Sequence, residues 1–252
     1  MTRIISSISV LAVILLLVAA CESPDQTRND EGAADEATEE GTDEAADAAP
    51  EIPEACPESD DEPHPALTDP SLADEQAPQR FHVLFETTAG NFAVTAHRDW
   101  APNGVDRFYN LVDIGYFEDI AIFRVIDGFM AQFGIHGQPQ VNAAWRTSDI
   151  PDDPVVRSNT RGKLSFAMRG PNTRTTQLFI NFGNNSNLDG QGFSPFAEVI
   201  DGMDVVDNIY DGYGEGAPRG QGPDQGRIQN EGNNYLRANF ENLDYIERAC
   251  IF

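Results

Sequence analysis

Histidine and cysteine, the residues that most often bind metals or act as nucleophiles, are sparse in this sequence. The four histidines are His64, His82, His97 and His136. Their spacing matches none of the ligand patterns typical of a zinc site. Cys56 and Cys250 have no neighbouring basic or histidine motif that would activate a thiolate. The sequence therefore predicts no metal site, no bound cofactor and no cysteine nucleophile.

Two further segments carry residue types that bind ligands in other proteins. Residues 212–222 are rich in glycine, but they do not stand between a strand and a helix as a phosphate-binding loop must. Asp149, Asp152 and Asp153 could hold a cation, although acidic side chains so closely spaced more often form a solvated turn. We expect the turn and keep the cation site as the alternative.

The negative charge of the chain is concentrated in one segment. The net charge is −26, and residues 22–79 hold 20 acidic side chains against one arginine. Residues 80–252 have the mixed composition of a globular domain and are only mildly acidic, with 22 acidic and 14 basic residues. A nucleic-acid partner is not expected, because binding to phosphates requires a basic face.

The N-terminus has the layout of an export signal. Arg3 precedes an apolar run from Ile8 to Ala20, which is too short to cross a bilayer. The run ends in Val-Ala-Ala-Cys at Cys21, which resembles the bacterial lipobox, where the cysteine receives a lipid. We therefore predict a signal peptide over 1–20 and an exported lipoprotein anchored to a membrane of the cell envelope through Cys21. The alternative is an ordinary signal peptide cleaved after Ala20.

Residues 21–79 are predicted to form a disordered acidic linker between this anchor and the domain. Asp, Glu, Ala, Thr and Pro dominate the segment, and it has no aromatic residue with which to build a core. Because an exported protein meets an oxidising compartment, Cys56 and Cys250 are candidates for a disulfide. Two separate free thiols are the alternative, since sequence does not show the distance between them.

The pattern of apolar residues over 80–252 predicts mainly short strands. Alternation over 81–86 and 92–96 around Gly90 is typical of a β-hairpin, and further β-prone runs follow. These runs are 121–126, 164–168, 177–181, 196–200 and 245–252. Helices are expected after Ala101 and over 202–209, with a long surface loop over 211–234. Many strands with two helices favour a closed antiparallel β-barrel.

Three stretches of the domain, in order, resemble the cyclophilin family. They are Phe123–Gln132 (FRVIDGFMAQ), Leu164–Thr173 (LSFAMRGPNT) with Gln177–Ile180 (QLFI), and Leu188–Gly190 (LDG) with Phe193–Val199 (FSPFAEV). The resemblance covers about 81–252. It implies an all-β dominated fold, a closed eight-stranded antiparallel barrel capped by two α-helices. It also implies peptidyl-prolyl cis/trans isomerase activity on proline-containing unfolded or flexible polypeptides, and we expect a monomer.

The resemblance assigns a catalytic role to Arg124, the donor that stabilises the twisted amide. The implied substrate-binding residues are Phe129, Met130, Gln132, Ala167, Met168, Gln177, Phe179, Leu188 and Phe193. Met168 and Phe193 depart from the best-known eukaryotic pattern, which has Asn and His there. A barrel that binds peptides without turnover, or a structural envelope protein, are the other functional classes. The presence of Arg124 and Gln132 favours the enzyme.

Overall fold

The computed structural model describes residues 49–58 and 62–252. Its strands are β1 (Arg80–Thr87), β2 (Gly90–His97), β3 (Ile120–Ala121), β4 (Arg124–Ile126), β5 (Met130–Phe133), β6 (Lys163–Phe166), β7 (Leu178–Asn181), β8 (Pro195–Asp201) and β9 (Tyr245–Ile251). Its helices are α1 (Pro102–Asp113), α2 (Pro139–Trp145), α3 (Met203–Asp207), α4 (Gln225–Glu231) and α5 (Asn233–Asn239). Short 3-10 turns lie at Pro65–Leu67, Pro70–Leu72 and Ser186–Gln191.

All the strands belong to one strongly curled antiparallel sheet, ordered β3-β9-β1-β2-β8-β6-β7-β5-β4. The predicted hairpin is confirmed as β1 and β2, with Phe85 opposite Phe92. The rings of these two residues stack 4.8 Å apart in the main core, where the buried face of α1 also lies. Apolar burial of this kind is the main force that holds the curled sheet together.

The sheet has nine strands, where the resemblance implied eight and the apolar pattern predicted seven. β5 lies outside the predicted runs, and the run predicted over 121–126 is divided in two. Its two parts, β3 and β4, lie at opposite ends of the strand order. The backbone N–H of Ile122 donates to Asp244 next to β9, at 2.9 Å, whereas the N–H of Phe123 donates to Gln132 in β5, at 3.1 Å. The chain itself therefore joins the two ends of the sheet.

The start of α1 is capped by a residue distant in sequence. Asp153 accepts hydrogen bonds from the backbone N–H groups of Asn103 and Gly104, at 3.0 and 2.9 Å. The Asp153 side chain is buried and also pairs with Arg174 at 3.0 Å. The expectation of a solvated turn is therefore wrong for Asp153, because a buried carboxylate that caps a helix and pairs with an arginine has a structural role.

The described residues contain five α-helices where two were predicted. The expected loop over 211–234 includes α4 and the beginning of α5. The two helices bury Ile228, Tyr235 and Leu236 against Phe123 in a second apolar cluster. The missed signal was the cap of α4, since the side chain of Asp224 accepts from the Arg227 N–H at 2.8 Å.

Part of the predicted linker packs against the domain, so the folded unit begins before residue 80. Ala66 and Ala77 are buried, and the Trp145 indole N–H lies within 3.2 Å of the Ala66 carbonyl oxygen, to which it donates. Cys56 is bonded to Cys250 in β9, with Cα atoms 5.7 Å apart. The expectation of disorder is therefore wrong for 62–79, because buried apolar side chains and a hydrogen bond to Trp145 order a segment whose composition is polar.

The predicted signal peptide and the lipidation candidate Cys21 lie outside the described residues. None of the helices in the part that the structure describes has the length and apolar character needed to span a bilayer.

Candidate functional site

Strand pairing brings the central predicted residues onto one face of the sheet. Arg124 on β4 is opposite Gln132 on β5, which is opposite Phe179 on β7. Because side chains alternate along a strand, the intervening Val125 and Ala131 point the other way, into the main core. The period of two thus separates the residues that form the core from those that form the site.

All the predicted site residues line one cleft, which has a volume of about 530 Å³. They are Arg124, Phe129, Met130, Gln132, Ala167, Met168, Gln177, Phe179, Leu188 and Phe193. Residues from three stretches of the sequence are therefore brought together in one cleft.

One half of the cleft is apolar and forms a cluster separate from the main core. Met130, Phe179 and Leu188 are buried in it, and Phe129 and Phe193 pack against them while remaining partly exposed. The Phe179 and Phe193 rings meet edge to face, with centroids 5.8 Å apart. Such a partly open apolar pocket suits a small ring or aliphatic side chain of a ligand.

Hydrogen bonds from two asparagines hold the walls of this pocket. The Asn185 side chain donates to the Phe129 carbonyl oxygen at 2.8 Å, and the Asn159 side chain donates to the Phe193 carbonyl oxygen at 2.8 Å. Asn159 also donates to Asp189 at 2.7 Å, in the turn that carries Leu188. These buried polar groups fix the backbone from which the apolar side chains project.

The other half of the cleft carries a row of polar side chains. Arg124 Nη1 donates to Gln132 Oε1 at 3.0 Å, and Gln132 Nε2 donates to Gln177 Oε1 at 2.9 Å. The Gln132 side chain is buried, and Arg124 is only 18% exposed. The row therefore fixes the guanidinium of Arg124 beside the apolar pocket.

Glu215, which no sequence pattern predicts as a site residue, lies beyond α3 in the glycine-rich segment 212–222. Its carboxylate accepts from Nε and Nη2 of Arg124, at 2.7 Å each. The hydrogen bond from Arg124 holds the pKa of Glu215 below its usual range. No short-range pattern in the sequence links positions 124 and 215, so only the fold reveals this pair.

Three further arginines that the sequence analysis did not select also line the cleft. Arg146, Arg169 and Arg219 are exposed there. Arg169 lies 3.9 Å from Asp149, and the domain over 80–252 is mildly acidic. The cleft therefore concentrates positive charge on an otherwise acidic protein.

Among the described residues, no group of three or more His, Cys, Asp and Glu side chains is placed to hold a metal ion. An arginine keeps its proton at ordinary pH, so Arg124 acts as a fixed donor and not as an acid or base. A fixed donor beside an apolar pocket suits a reaction that redistributes charge within a bound ligand without transferring a proton or a group.

Comparison with known proteins decides the family. The family model described as cyclophilin type peptidyl-prolyl cis-trans isomerase/CLD matches residues 82–230, more than half of the chain. The chain belongs to this family. Peptidyl-prolyl cis-trans isomerase B of Escherichia coli K12 is similar to this cyclophilin, with 35% identity over 135 residues, which is 50% of this chain and 82% of that protein.

A second bacterial relative is Peptidyl-prolyl cis-trans isomerase A of Dickeya dadantii, 34% identical over 133 residues, covering 51% of this chain and 70% of that protein. A solved cyclophilin type isomerase of Cryptosporidium parvum matches with a TM-score of 0.50 and 20% identity, over 69% of this chain and 98% of that one. The structural match supports the cyclophilin-like fold, and the sequence matches establish a peptidyl-prolyl cis-trans isomerase (EC 5.2.1.8) that acts on proline-containing peptides.

Proposed function

We propose that this cyclophilin accelerates rotation about X-Pro bonds in exported polypeptides and that Arg124 stabilises the twisted amide. Resonance in the peptide bond opposes rotation with a barrier of about 18–20 kcal/mol. As the bond twists, the prolyl nitrogen becomes pyramidal and gains a lone pair. A donor aimed at this nitrogen interacts more strongly with the transition state than with the ground state, which is the condition for catalysis.

The single observation that carries this proposal is the position of Arg124. Its guanidinium is held by Gln132, beside the apolar cluster of Met130, Phe179 and Leu188. A proline ring that occupies the pocket would present its nitrogen to the arginine. Phe129 and Phe193 would complete the pocket, while Gln132, Gln177, Ala167 and Met168 would bind the peptide on either side.

A protease-coupled isomerisation assay on the chain from residue 49 onwards tests the function. Acceleration that grows with enzyme concentration supports the enzyme. Peptide binding without acceleration would contradict it and favour a binding module.

We further propose that the protein is exported and anchored to a membrane of the cell envelope through a lipid on Cys21. The apolar run before Cys21 and the sequence Val-Ala-Ala-Cys support the proposal. The disulfide between Cys56 and Cys250 adds support, because such bonds persist in oxidising compartments.

We expect metabolic labelling with a fatty-acid probe in a bacterial host to tag the full chain. The variant Cys21→Ser should lose the label, because it removes the thiol that forms the thioether, while a Ser23→Ala control keeps it. Gel fluorescence measures both. A label that persists in Cys21→Ser would rule out the anchor at this cysteine.

The basic side chains of the cleft lead to a prediction about substrates. A peptide with Glu beside the X-Pro bond should have a kcat/KM about two- to fivefold higher than its Lys counterpart, the range expected for exposed ion pairs. The difference should shrink as salt is added. Arg169→Glu should weaken the preference, because Arg146 and Arg219 remain, whereas Arg157→Glu, an exposed arginine outside the cleft, should leave it unchanged. Equal rates for the two peptides at low salt would contradict the prediction.

A further inference from the structure

Glu215 makes a two-point contact with the arginine to which we assign catalysis. Its carboxylate oxygens lie 2.7 Å from Nε and 2.7 Å from Nη2 of Arg124. A guanidinium that donates two parallel hydrogen bonds to one carboxylate forms one of the strongest and most directional ion pairs in proteins. Both side chains are partly shielded from water, with 18% of Arg124 and 34% of Glu215 exposed.

The segment around Glu215 is folded tightly and closed by its own backbone hydrogen bonds. The N–H of Gly222 donates to the Glu215 carbonyl oxygen at 2.9 Å, and the N–H of Ala217 donates to the Gly222 carbonyl oxygen at 3.0 Å. A Cβ on Gly220 would collide with the Glu215 carbonyl oxygen, and one on Gly216 would lie 2.7 Å from the Pro223 carbonyl oxygen. Glycine is therefore required at both positions, and the segment holds Glu215 in a fixed place.

The inner end of this segment is also held by aromatic contacts. The Tyr213 ring packs against Tyr210 and Phe240, with centroids 5.1 Å away in each case. In addition, the Gly216 N–H donates to Glu215 Oε1 at 2.9 Å, which orients the carboxylate itself. Aromatic packing and this hydrogen bond therefore hold the Glu215 carboxylate in place against Arg124.

The contact with Glu215 leaves donors of Arg124 available to a ligand. A guanidinium has five N–H donors. Glu215 accepts from two of them and Gln132 from one. Of the remaining two, one on Nη1 contacts only the thioether sulfur of Met130, a weak acceptor, at 3.7 Å, and the other belongs to Nη2.

We propose that Glu215 is a positioning residue for the isomerase reaction, which fixes the plane of the Arg124 guanidinium while leaving its outer N–H groups to the substrate. The inference rests on the proposed role of Arg124. A long, flexible side chain held by Glu215 on one edge and Gln132 on the other enters the reaction already oriented. Without Glu215, the arginine samples other rotamers, and fewer bound peptides meet it in the productive geometry.

The test compares Glu215→Ala, Glu215→Gln and the wild type as full chains. Turnover is measured by NMR exchange on a saturating proline peptide, and affinity by titration with the same peptide. We expect kcat to fall about tenfold in Glu215→Ala and less in Glu215→Gln, which keeps one acceptor, while the peptide Kd changes by less than about twofold. Asp211→Ala is the matched control, because Asp211 is an exposed acid of the same segment that does not line the cleft, and it should leave kcat unchanged.

A double-mutant cycle separates positioning from a general effect on the fold. In the Arg124→Ala background, Glu215→Ala should cause no further loss, because the residue acts only through the arginine. Equal losses of kcat in both backgrounds would overturn the proposal, because Glu215 would then act independently of Arg124. A rise in kcat or in peptide affinity on removing Glu215 would also overturn it, because Glu215 would then compete with the substrate for Arg124. If Arg124→Ala alone leaves turnover unchanged, the proposed role of Arg124 fails, and the positioning role fails with it.

Discussion

Arg124→Ala should lower kcat/KM for a proline-containing peptide by about 10²- to 10³-fold. This corresponds to the loss of one preorganised donor, about 3–4 kcal/mol of transition-state stabilisation. The affinity for the peptide should fall much less than the rate, because the lost interaction strengthens only as the amide twists. The isomerisation assay gives the rate, and NMR titration gives the affinity. The fold should survive, since Arg124 lies at the wall of an open cleft.

Phe129→Ala provides the contrast for this experiment. Phe129 packs against the apolar cluster and lines the cleft. Its removal should weaken ground-state and transition-state binding together, so that peptide affinity falls in parallel with kcat/KM. An Arg124→Ala protein with turnover near that of the wild type would show that the catalytic donor lies elsewhere.

The second large effect concerns stability and comes from the disulfide. Cys56 and Cys250 are 194 positions apart, so the bond restricts nearly the whole unfolded chain of the domain. The loop-entropy relation assigns about 5 kcal/mol to a loop of this size. The double variant Cys56→Ser/Cys250→Ser should therefore lose up to about this free energy of unfolding, as measured by urea denaturation. Turnover under native conditions should stay close to that of the wild type, because neither residue lines the cleft.

Reduction tests whether the stability difference comes from the disulfide bond or from the replacement of the cysteine side chains. Dithiothreitol should lower the urea midpoint of the wild type to that of the double variant and leave the variant unchanged. If peptide mapping of the exported protein finds both thiols free, or if the two proteins unfold at the same urea concentration, the bond does not contribute in this way.

The sequence predicted the site better than it predicted the elements that surround it. The resemblance of the stretches Phe123–Gln132 and Gln177–Ile180 grouped Arg124, Gln132 and Phe179 in one site, and cross-strand pairing places them on one face of the sheet. Glu215 escaped prediction because its partner is 91 positions away and its own neighbours are glycines. Contacts of that range depend on the tertiary fold and leave no periodic signal.

At the domain boundary, composition predicts the wrong structure. Residues 62–79 are acidic and rich in proline, which is typical of disorder. Ala66 nevertheless is fully buried and its carbonyl oxygen accepts from Trp145, while the side chain of Asp69 caps the following 3-10 turn at Ser71. A few small buried residues and local caps hardly change the average composition of a segment, so composition does not reveal them. They order the backbone only once the rest of the domain offers a surface.

The crossing at Ile122 and Phe123 makes Arg124 the first residue after the junction between the two ends of the sheet. β3 pairs with β9 through two residue pairs only, so this junction is held by a short ladder and by the burial of Ile122 and Phe123. Short ladders open locally at a lower free energy than the centre of a sheet. Loosening of the junction on heating would displace the arginine while most of the fold persists. Catalytic activity should therefore disappear at a lower temperature than the circular dichroism signal of the sheet. Loss of activity would then report the opening of this junction before the domain unfolds.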